Sequence, residues 1–437
     1  MIKKMKALLV SKDDKIIKGM VSLNGSKSES NRLLIIQALC KDSFKIYNLS
    51  KAEDTIILSN LLDKVSVSSH TEINTVSGNC LTAQILDVKD SGTAMRFLTG
   101  FLSIKQGKWL LTGSERMKKR PVAILVNALR NLGAKIEYLE KKFYPPLLIK
   151  GTILSNDEIN IDADVSSQYI TALLLIAPCL PQGLTLHLKG NIASEPYIKM
   201  TLNIMKHFGI EIIKNSSTII IKNQNYIAKD YYVESDWTAA SYWYEMAALA
   251  DKVDITIKCL KKQSIQGDRI ITEIFKNFGV ETYFISDGIH LSKNDNLKIK
   301  QFDFDFTDYP DIAQTVIVCC AALNIKGHFK GLQNLKIKET DRTNALKKEL
   351  VKFNIKFFRK SDSEWILENR QDNSKTFSNL CISTYNDHRM AMAFSPLAIN
   401  FGKIAIKNPE SVSKSYPDFW KDILSVGFKT ILCFVII

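Results

Sequence analysis

Along the chain, runs of residues that are apolar on every side recur six times, each opened by a short polar stretch. Ser28 opens the run through Leu33-Leu34-Ile35-Ile36. The others open at Ser91, Ser166, Asp236, Asp311 and Asp387, spaced 63, 75, 70, 75 and 76 residues apart. A helix that is apolar all round must be buried, and Ser or Asp at its start can cap free backbone N–H groups. The pattern predicts six buried helices, each capped by its opening residue. A second series alternates with the first: an amphipathic helix, a tight stop and a strand. Its stops are Gly133, Gly209, Gly279, Asn354 and Gly427, with a weaker copy at Asp63, at spacings of 70, 76, 70, 75 and 73 residues. Gly and Asn suit a left-handed helix cap, and the alternation that follows suits a strand.

Both series predict an α/β protein of six units. The period is too long for a solenoid, and 437 residues suit two domains, so the units divide three and three. The expected domains are residues 25–235 and residues 1–24 plus 236–437, with hinges near 24 and 235. No Pro/Gly/Ser-rich linker marks the join. If three buried helices per domain run parallel, their N-termini emerge on one face. Two such faces opposed would make a cleft for anions.

Charge strengthens that expectation without choosing the anion. The net charge is +14, which allows nucleic acid, an anionic membrane or small anions as partners. Lysine is spread throughout, but only ten arginines occur, and six of them (32, 96, 116, 120, 342 and 389) fall in motifs that supply charge at the predicted cleft, Arg116 in Gly113-Ser-Glu-Arg-Met-Lys-Lys-Arg-Pro121. Arginine's rigid fork suits phosphate and carboxylate. The eight cysteines contain no C-x-x-C pair and read as buried free thiols, which suits a reducing compartment. The N-terminal apolar run is too short for a secretory segment and the C-terminal run, Ile431 to Ile437, too short to span a bilayer. A soluble cytoplasmic monomer is the expectation.

The motifs are Gly25-Ser26-Lys27-Ser28-Glu29-Ser30-Asn31-Arg32; Gly92-Thr93-Ala94-Met95-Arg96; Arg120-Pro121; Ser166-Ser167-Gln168; Gln266-Gly267-Asp268; Lys338-Glu339-Thr340-Asp341-Arg342; and Tyr385-Asn386-Asp387-His388-Arg389-Met390-Ala391-Met392. The first is not a phosphate-binding P-loop, because no Gly stands four residues before a Gly-Lys-Ser triplet. Taken singly, each motif is an ordinary capped helix with solvated charges. Together and in this order they resemble the EPSP synthase (3-phosphoshikimate 1-carboxyvinyltransferase) family over the whole chain.

The resemblance implies a two-domain inside-out α/β barrel, each domain made of three βαβαββ repeats around buried parallel helices. The implied reaction belongs to the shikimate pathway, towards chorismate and the aromatic amino acids. It moves the enolpyruvyl group of phosphoenolpyruvate to the 5-hydroxyl of shikimate 3-phosphate, with no cofactor and no metal. Inhibition by glyphosate in competition with phosphoenolpyruvate is implied as well. Carried over by position, Lys27, Ser28, Arg32, Ser166, Ser167, Gln168, Ser194, Tyr197, Asp311, Asn334 and Lys338 correspond to shikimate 3-phosphate contacts. Lys27, Gly92, Arg96, Arg120, Gln168, Arg342, Arg389 and Lys414 correspond to phosphoenolpyruvate contacts. Lys27, Asp311 and Glu339 are the expected catalytic residues.

The two substrates carry about five to six negative charges, at roughly 1.5 to 2 per phosphate, which explains so many cations. Four positions depart from the family's usual pattern. Asp90-Ser91 stands for Asn-Ala, Phe97 for Pro and Lys336 for Arg. The nearest alternative is the enolpyruvyl transferase that acts on UDP-N-acetylglucosamine, which carries Lys-Asn at the first motif and usually a cysteine before its Arg-Pro. This chain has Lys27-Ser28, and no cysteine from Trp109 to Pro121. A nucleic-acid binder, as in the related RNA-phosphate cyclases, is disfavoured because aromatic residues are not interleaved with a basic run.

Overall fold

The structure is a computed structural model that describes residues 4–67, 71–74, 80–164, 166–294, 299–369 and 380–436. Arg370, Ile437 and the side chain of Cys80 lie outside the described residues. The chain divides into two compact units, Ser26–Val233 and Met1–Gly25 with Glu234–Ile437.

One plan recurs in five sheets. Two parallel strands are followed by a hairpin whose second strand pairs antiparallel with the second of them; a buried helix joins the parallel pair in four of the sheets, and the chain through Ser26–Val233 joins it in the one that pairs Ile16–Ser22 with Lys252–Lys258. In Ser26–Val233, Cys80–Asp87 pairs in parallel with Lys108–Thr112, which meets Leu147–Lys150 and then Lys135–Tyr138. Glu158–Asp162, Leu184–Lys189, Thr218–Ile221 and Ile213–Lys214 repeat the order. In the other unit Ile16–Ser22, Lys252–Lys258, Gly288–Lys293 and Val280–Ile285 follow it, as do Gln301–Asp305, Lys326–Lys330, Trp365–Leu367 and Phe357–Arg359. The last sheet, Leu380–Ile382, Ile404–Lys407, Lys4–Lys12 and Phe428–Ile436, borrows the chain's first strand to complete its hairpin. Ile431–Ile436 of the apolar C-terminal run therefore lie in a sheet strand, and among the described residues no helix is long and apolar enough to cross a membrane.

The six apolar runs all form helices: α1 Lys27–Leu39, α2 Gly92–Ile104, α3 Ser167–Ile176, α4 Trp237–Leu249, α5 Ala313–Ala322 and α6 His388–Phe394. Every residue of α5 and α6 is buried, and all of α3 except Gln168. α1, α2 and α3 pack together in one unit, α4, α5 and α6 in the other. Each Leu or Ile buried this way contributes about 1.5–3 kcal/mol over leaving it in water.

Four of the expected caps are present: Ser91 accepts from Ala94 N–H, Ser166 from Gln168 N–H, Asp236 from Ala239 N–H and Asp387 from Arg389 N–H. Two are not. Ser26 caps α1, which leaves Ser28 inside the helix. α5 starts after Ile312 with no side-chain cap, because the Asp311 carboxylate is turned to arginines instead. The stops at Gly133, Gly209, Gly279, Asn354 and Gly427 all have positive φ, as a left-handed cap requires. The copy at Asp63 fails: with neither Gly nor Asn to break it, the helix Glu53–Ser66 runs on and ends in extended backbone at Val67. The cysteines with described side chains are free thiols, but only Cys319 and Cys320 are buried and the other five are partly exposed. Apolar neighbours in sequence alternate across a strand, so they do not guarantee burial.

Candidate active site

In Ser26–Val233 the first two turns of α1 carry Lys27 and Arg32. Lys27 Nζ pairs with Asp54 Oδ2 at 3.0 Å. Arg32 is 4% exposed and binds only neutral oxygens: Nε donates to Thr201 Oγ1 at 2.8 Å, Nη1 to the Ser28 carbonyl at 2.7 Å and Nη2 to the Tyr197 carbonyl at 3.1 Å. The Phe97 ring lies 5.7 Å away. Burial pulls the Arg32 pKa down to about 10, with Tyr197 and Glu29 opposing, so the group stays charged at neutral pH. A buried guanidinium without an ion pair among the described residues is unusual, because burying a charge costs several kcal/mol unless it is paired. An anionic ligand would supply the missing charge.

The start of α2 gathers the second group. Arg96, 4% exposed, donates from Nη1 to the Gly92 carbonyl at 3.0 Å, one turn back. A Cβ on Gly92 would lie 2.8 and 2.9 Å from the two terminal nitrogens of Arg120 and 2.9 Å from Arg96 Nη1. The missing side chain therefore lets two guanidiniums converge over the helix start. Gln168 Nε2 donates to Thr93 Oγ1 at 3.2 Å, joining α3 to the group. Ser166 caps α3 and Ser167 is buried in its first turn. Ser194 begins the helix Glu195–His207 in the left-handed region, at φ 58°, and Tyr197 sits one turn into that helix.

In the other unit, three carboxylates and three cations interlock. Asp387 Oδ2 accepts from Arg342 Nε at 2.8 Å while its Oδ1 caps α6. Arg342 Nη2 reaches Glu339 Oε2 at 2.8 Å, and Lys414 Nζ reaches Glu339 Oε1 at 3.3 Å. Arg389 Nη2 meets Asp311 Oδ2 at 2.8 Å, and its Nη1 donates to the Asp311 carbonyl at 2.9 Å. Burial opposes the charge of Arg342, but Asp387 and Glu339 outweigh it and the pKa is raised. Asn334 and Lys338 stand on and just after the short turn Gln333–Ile337, leading directly into Glu339.

The residues expected at the site are divided between Ser26–Val233 and the other unit. Arg116, one of the motif arginines, is not among them: it is exposed while Arg120, one turn on, is buried. Lys336 also turns to the surface, 3.4 Å from Asp362. Asp54, Thr201 and Thr171, whose hydroxyl lies 3.4 Å from Arg32 Nη2, were not evident from sequence, since a lone acid or threonine at an ordinary helical position carries no signal. Asp387 had one, a polar residue opening an apolar run.

The chain matches the family model described as EPSP synthase (3-phosphoshikimate 1-carboxyvinyltransferase) over residues 12–423. It is 46% identical over 417 residues to the 3-phosphoshikimate 1-carboxyvinyltransferase of Bacteroides fragilis, covering 94% of this chain and 96% of that protein. It is 35% identical to the protein of the same name from Vibrio vulnificus, covering 94% and 97%. Among solved structures, an EPSP synthase from Acinetobacter baumannii superposes with a TM-score of 0.75 at 20% identity, covering 98% of this chain and 100% of that one.

Proposed function

The chain belongs to the EPSP synthase family, and from that premise we propose how its own residues transfer the enolpyruvyl group of phosphoenolpyruvate to the 5-hydroxyl of shikimate 3-phosphate. The observation that carries the reading is Arg32, a buried guanidinium bonded only to neutral oxygens in the second turn of a buried helix. It calls for an anion, and shikimate 3-phosphate supplies one.

Lys27, Ser28, Arg32, Ser166, Ser167, Gln168, Ser194 and Tyr197 serve shikimate 3-phosphate from Ser26–Val233, and Asp311, Asn334 and Lys338 from the other unit. Lys27, Gly92, Arg96, Arg120 and Gln168 serve phosphoenolpyruvate together with Arg342, Arg389 and Lys414. Arg342 and Lys414 fix both oxygens of Glu339, so that the carboxyl is aimed rather than rotating. Glu339 delivers a proton to the methylene carbon of phosphoenolpyruvate while the 5-hydroxyl oxygen attacks the adjacent carbon and Asp311 takes the hydroxyl proton. The tetrahedral adduct then returns a methyl proton to Glu339, re-forms the double bond and expels phosphate, steadied by Lys27. Free thiols throughout the described cysteines support a cytoplasmic enzyme, and we take it to act as a monomer.

The test is phosphate release from phosphoenolpyruvate with shikimate 3-phosphate or UDP-N-acetylglucosamine as acceptor. Release with the first and not the second is expected. The reverse result would move the chain to the sugar-nucleotide transferase, an alternative the relatives do not favour.

A further inference from the structure

Asp387 and Arg389 follow a turn that one of its own residues does not favour. The Asp387 N–H donates to the Thr384 carbonyl at 2.9 Å, and the two residues between them, Tyr385 and Asn386, have φ of 55° and 57°. Asn tolerates the left-handed region, but a Tyr side chain does not suit it. Such a turn persists only where its surroundings hold it.

What holds it is Glu349, 1% exposed, near the end of the helix Arg342–Leu350. Its Oε1 accepts from the Tyr385 hydroxyl at 2.7 Å, and its Oε2 accepts from the Ser383 N–H at 3.1 Å. Lys352 Nζ, 2.5 Å from Oε2, supplies the opposite charge and donates to the Cys381 carbonyl at 2.7 Å as well. Arg342 begins the same helix, and its Nε donates to Asp387 Oδ2 at 2.8 Å. Positions i and i+7 share one face of a helix. One face of this helix therefore grips the segment from Ser383 to Asp387 at both ends.

We propose that Glu349 is a positioning residue for phosphoenolpyruvate: it holds Tyr385 in its unfavoured backbone and so fixes Asp387 against Arg342 and the start of α6, without touching substrate. That role rests on the reading of Arg342 and Arg389 as phosphoenolpyruvate contacts. Once the Tyr385 hydroxyl is released, the turn relaxes towards negative φ and Asp387 loses its register with Arg342. Arg389, whose N–H donates to Asp387 Oδ1 at 2.9 Å, shifts with it. The two guanidiniums then meet their anion at the wrong spacing. Shikimate 3-phosphate, most of whose proposed contacts lie in Ser26–Val233, is affected less.

The experiment is kcat, both KM values and the melting temperature for wild type, Glu349→Gln, Tyr385→Phe, Tyr385→Asn and Arg389→Lys. Glu349→Gln turns one acceptor oxygen into a donor, so it serves Tyr385 or Ser383 but not both; Tyr385→Phe removes the hydroxyl alone. Both should raise the KM for phosphoenolpyruvate on the order of tenfold, with the KM for shikimate 3-phosphate within about twofold. Tyr385→Asn also lacks the hydroxyl but accepts left-handed backbone, so its KM for phosphoenolpyruvate should return to within about threefold of wild type although it loses the packing of the ring. A merely structural part would lower the melting temperature of all three and leave their KM values alone. If Tyr385→Phe or a folded Glu349→Gln keeps the wild-type KM for phosphoenolpyruvate, or raises both KM values equally, the inference is overturned. A folded Tyr385→Asn no better than Tyr385→Phe overturns it as well. Should Glu349→Gln or Tyr385→Asn fail to fold, the KM pattern of Tyr385→Phe decides. Arg389→Lys with an unchanged KM for phosphoenolpyruvate would instead remove Arg389 as its contact and this inference with it.

Discussion

Ser28 and Asp311 are the two opening residues that do not cap their helices, and both belong to the proposed substrate set. Ser26 takes over the task for α1 and α5 goes without, whereas Ser166 caps α3 although it too belongs to that set. At the departure Asp90-Ser91, by contrast, the serine does cap its helix and Asp90 accepts from the Ser114 hydroxyl, so that both residues tie down the start of α2. Phe97 does not displace that start either: α2 is continuous from Gly92, and the ring lies against Arg32. Glu339→Gln keeps size and most hydrogen bonds but cannot cycle a proton, so kcat should fall by roughly 10²-fold or more with substrate affinities little changed. Near wild-type turnover with intact binding would take Glu339 out of the mechanism. Gly92→Ala places a methyl group against the ends of Arg120 and Arg96. Those ends are flexible, so the fold should survive and the guanidiniums should move. The KM for phosphoenolpyruvate should rise several-fold, about 1 kcal/mol, and glyphosate, as the longer occupant, should weaken more. Inhibition constants for glyphosate that rise no more than the KM would show that crowding does not reach it.

Among the elements, the helices that were plainest in sequence are also the most buried, because an apolar run has no other stable place. The stops were legible where Gly or Asn needs positive φ and illegible at Asp63, where nothing in the residue type ends a helix. The charged partners were only half legible: a motif shows that Arg342 matters, but not that Asp387, Glu339 and Asp311 all converge on it. Such convergence depends on crossovers far apart in the chain. Glu245 escaped notice altogether. It lies in α4, 0% exposed, and neither carboxyl oxygen has a hydrogen-bond partner. Burial raises its pKa well above the ordinary 4.5. The folded state therefore holds this proton more tightly than the unfolded chain, and the stability it confers is full below the unfolded value and declines as pH rises beyond it. Glu245→Leu should raise the melting temperature by on the order of 2 °C or more, with a gain that grows from about pH 5 to 8. A gain equal at both ends would mean that the carboxyl is hydrated or paired after all.

Taken whole, the chain passes between its two units twice, and each passage separates a strand from the buried helix that follows it. Ile16–Ser22 precedes α1 in sequence but pairs with Lys252–Lys258, the strand after α4. Tyr231–Tyr232 precedes α4 but pairs with Ile46–Tyr47, the strand after α1. Each unit thus completes a sheet with a strand adjacent to a connection. Each unit also carries cations of its own: Lys27, Arg32, Arg96 and Arg120 in one, Lys338, Arg342, Arg389 and Lys414 in the other. Like charges on two bodies repel, and an anion bound by both sets reverses the sign of that interaction. Shikimate 3-phosphate is such an anion if Arg32 and Lys338 both serve it. Its binding is therefore expected to reduce the radius of gyration, and the reduction should be lost in Arg32→Ala, which removes the buried charge that draws the phosphate. Small-angle scattering with and without saturating shikimate 3-phosphate measures this directly. Superimposable curves, with binding verified separately by calorimetry, would mean that one unit alone holds the ligand and that the division of contacts proposed for it is wrong.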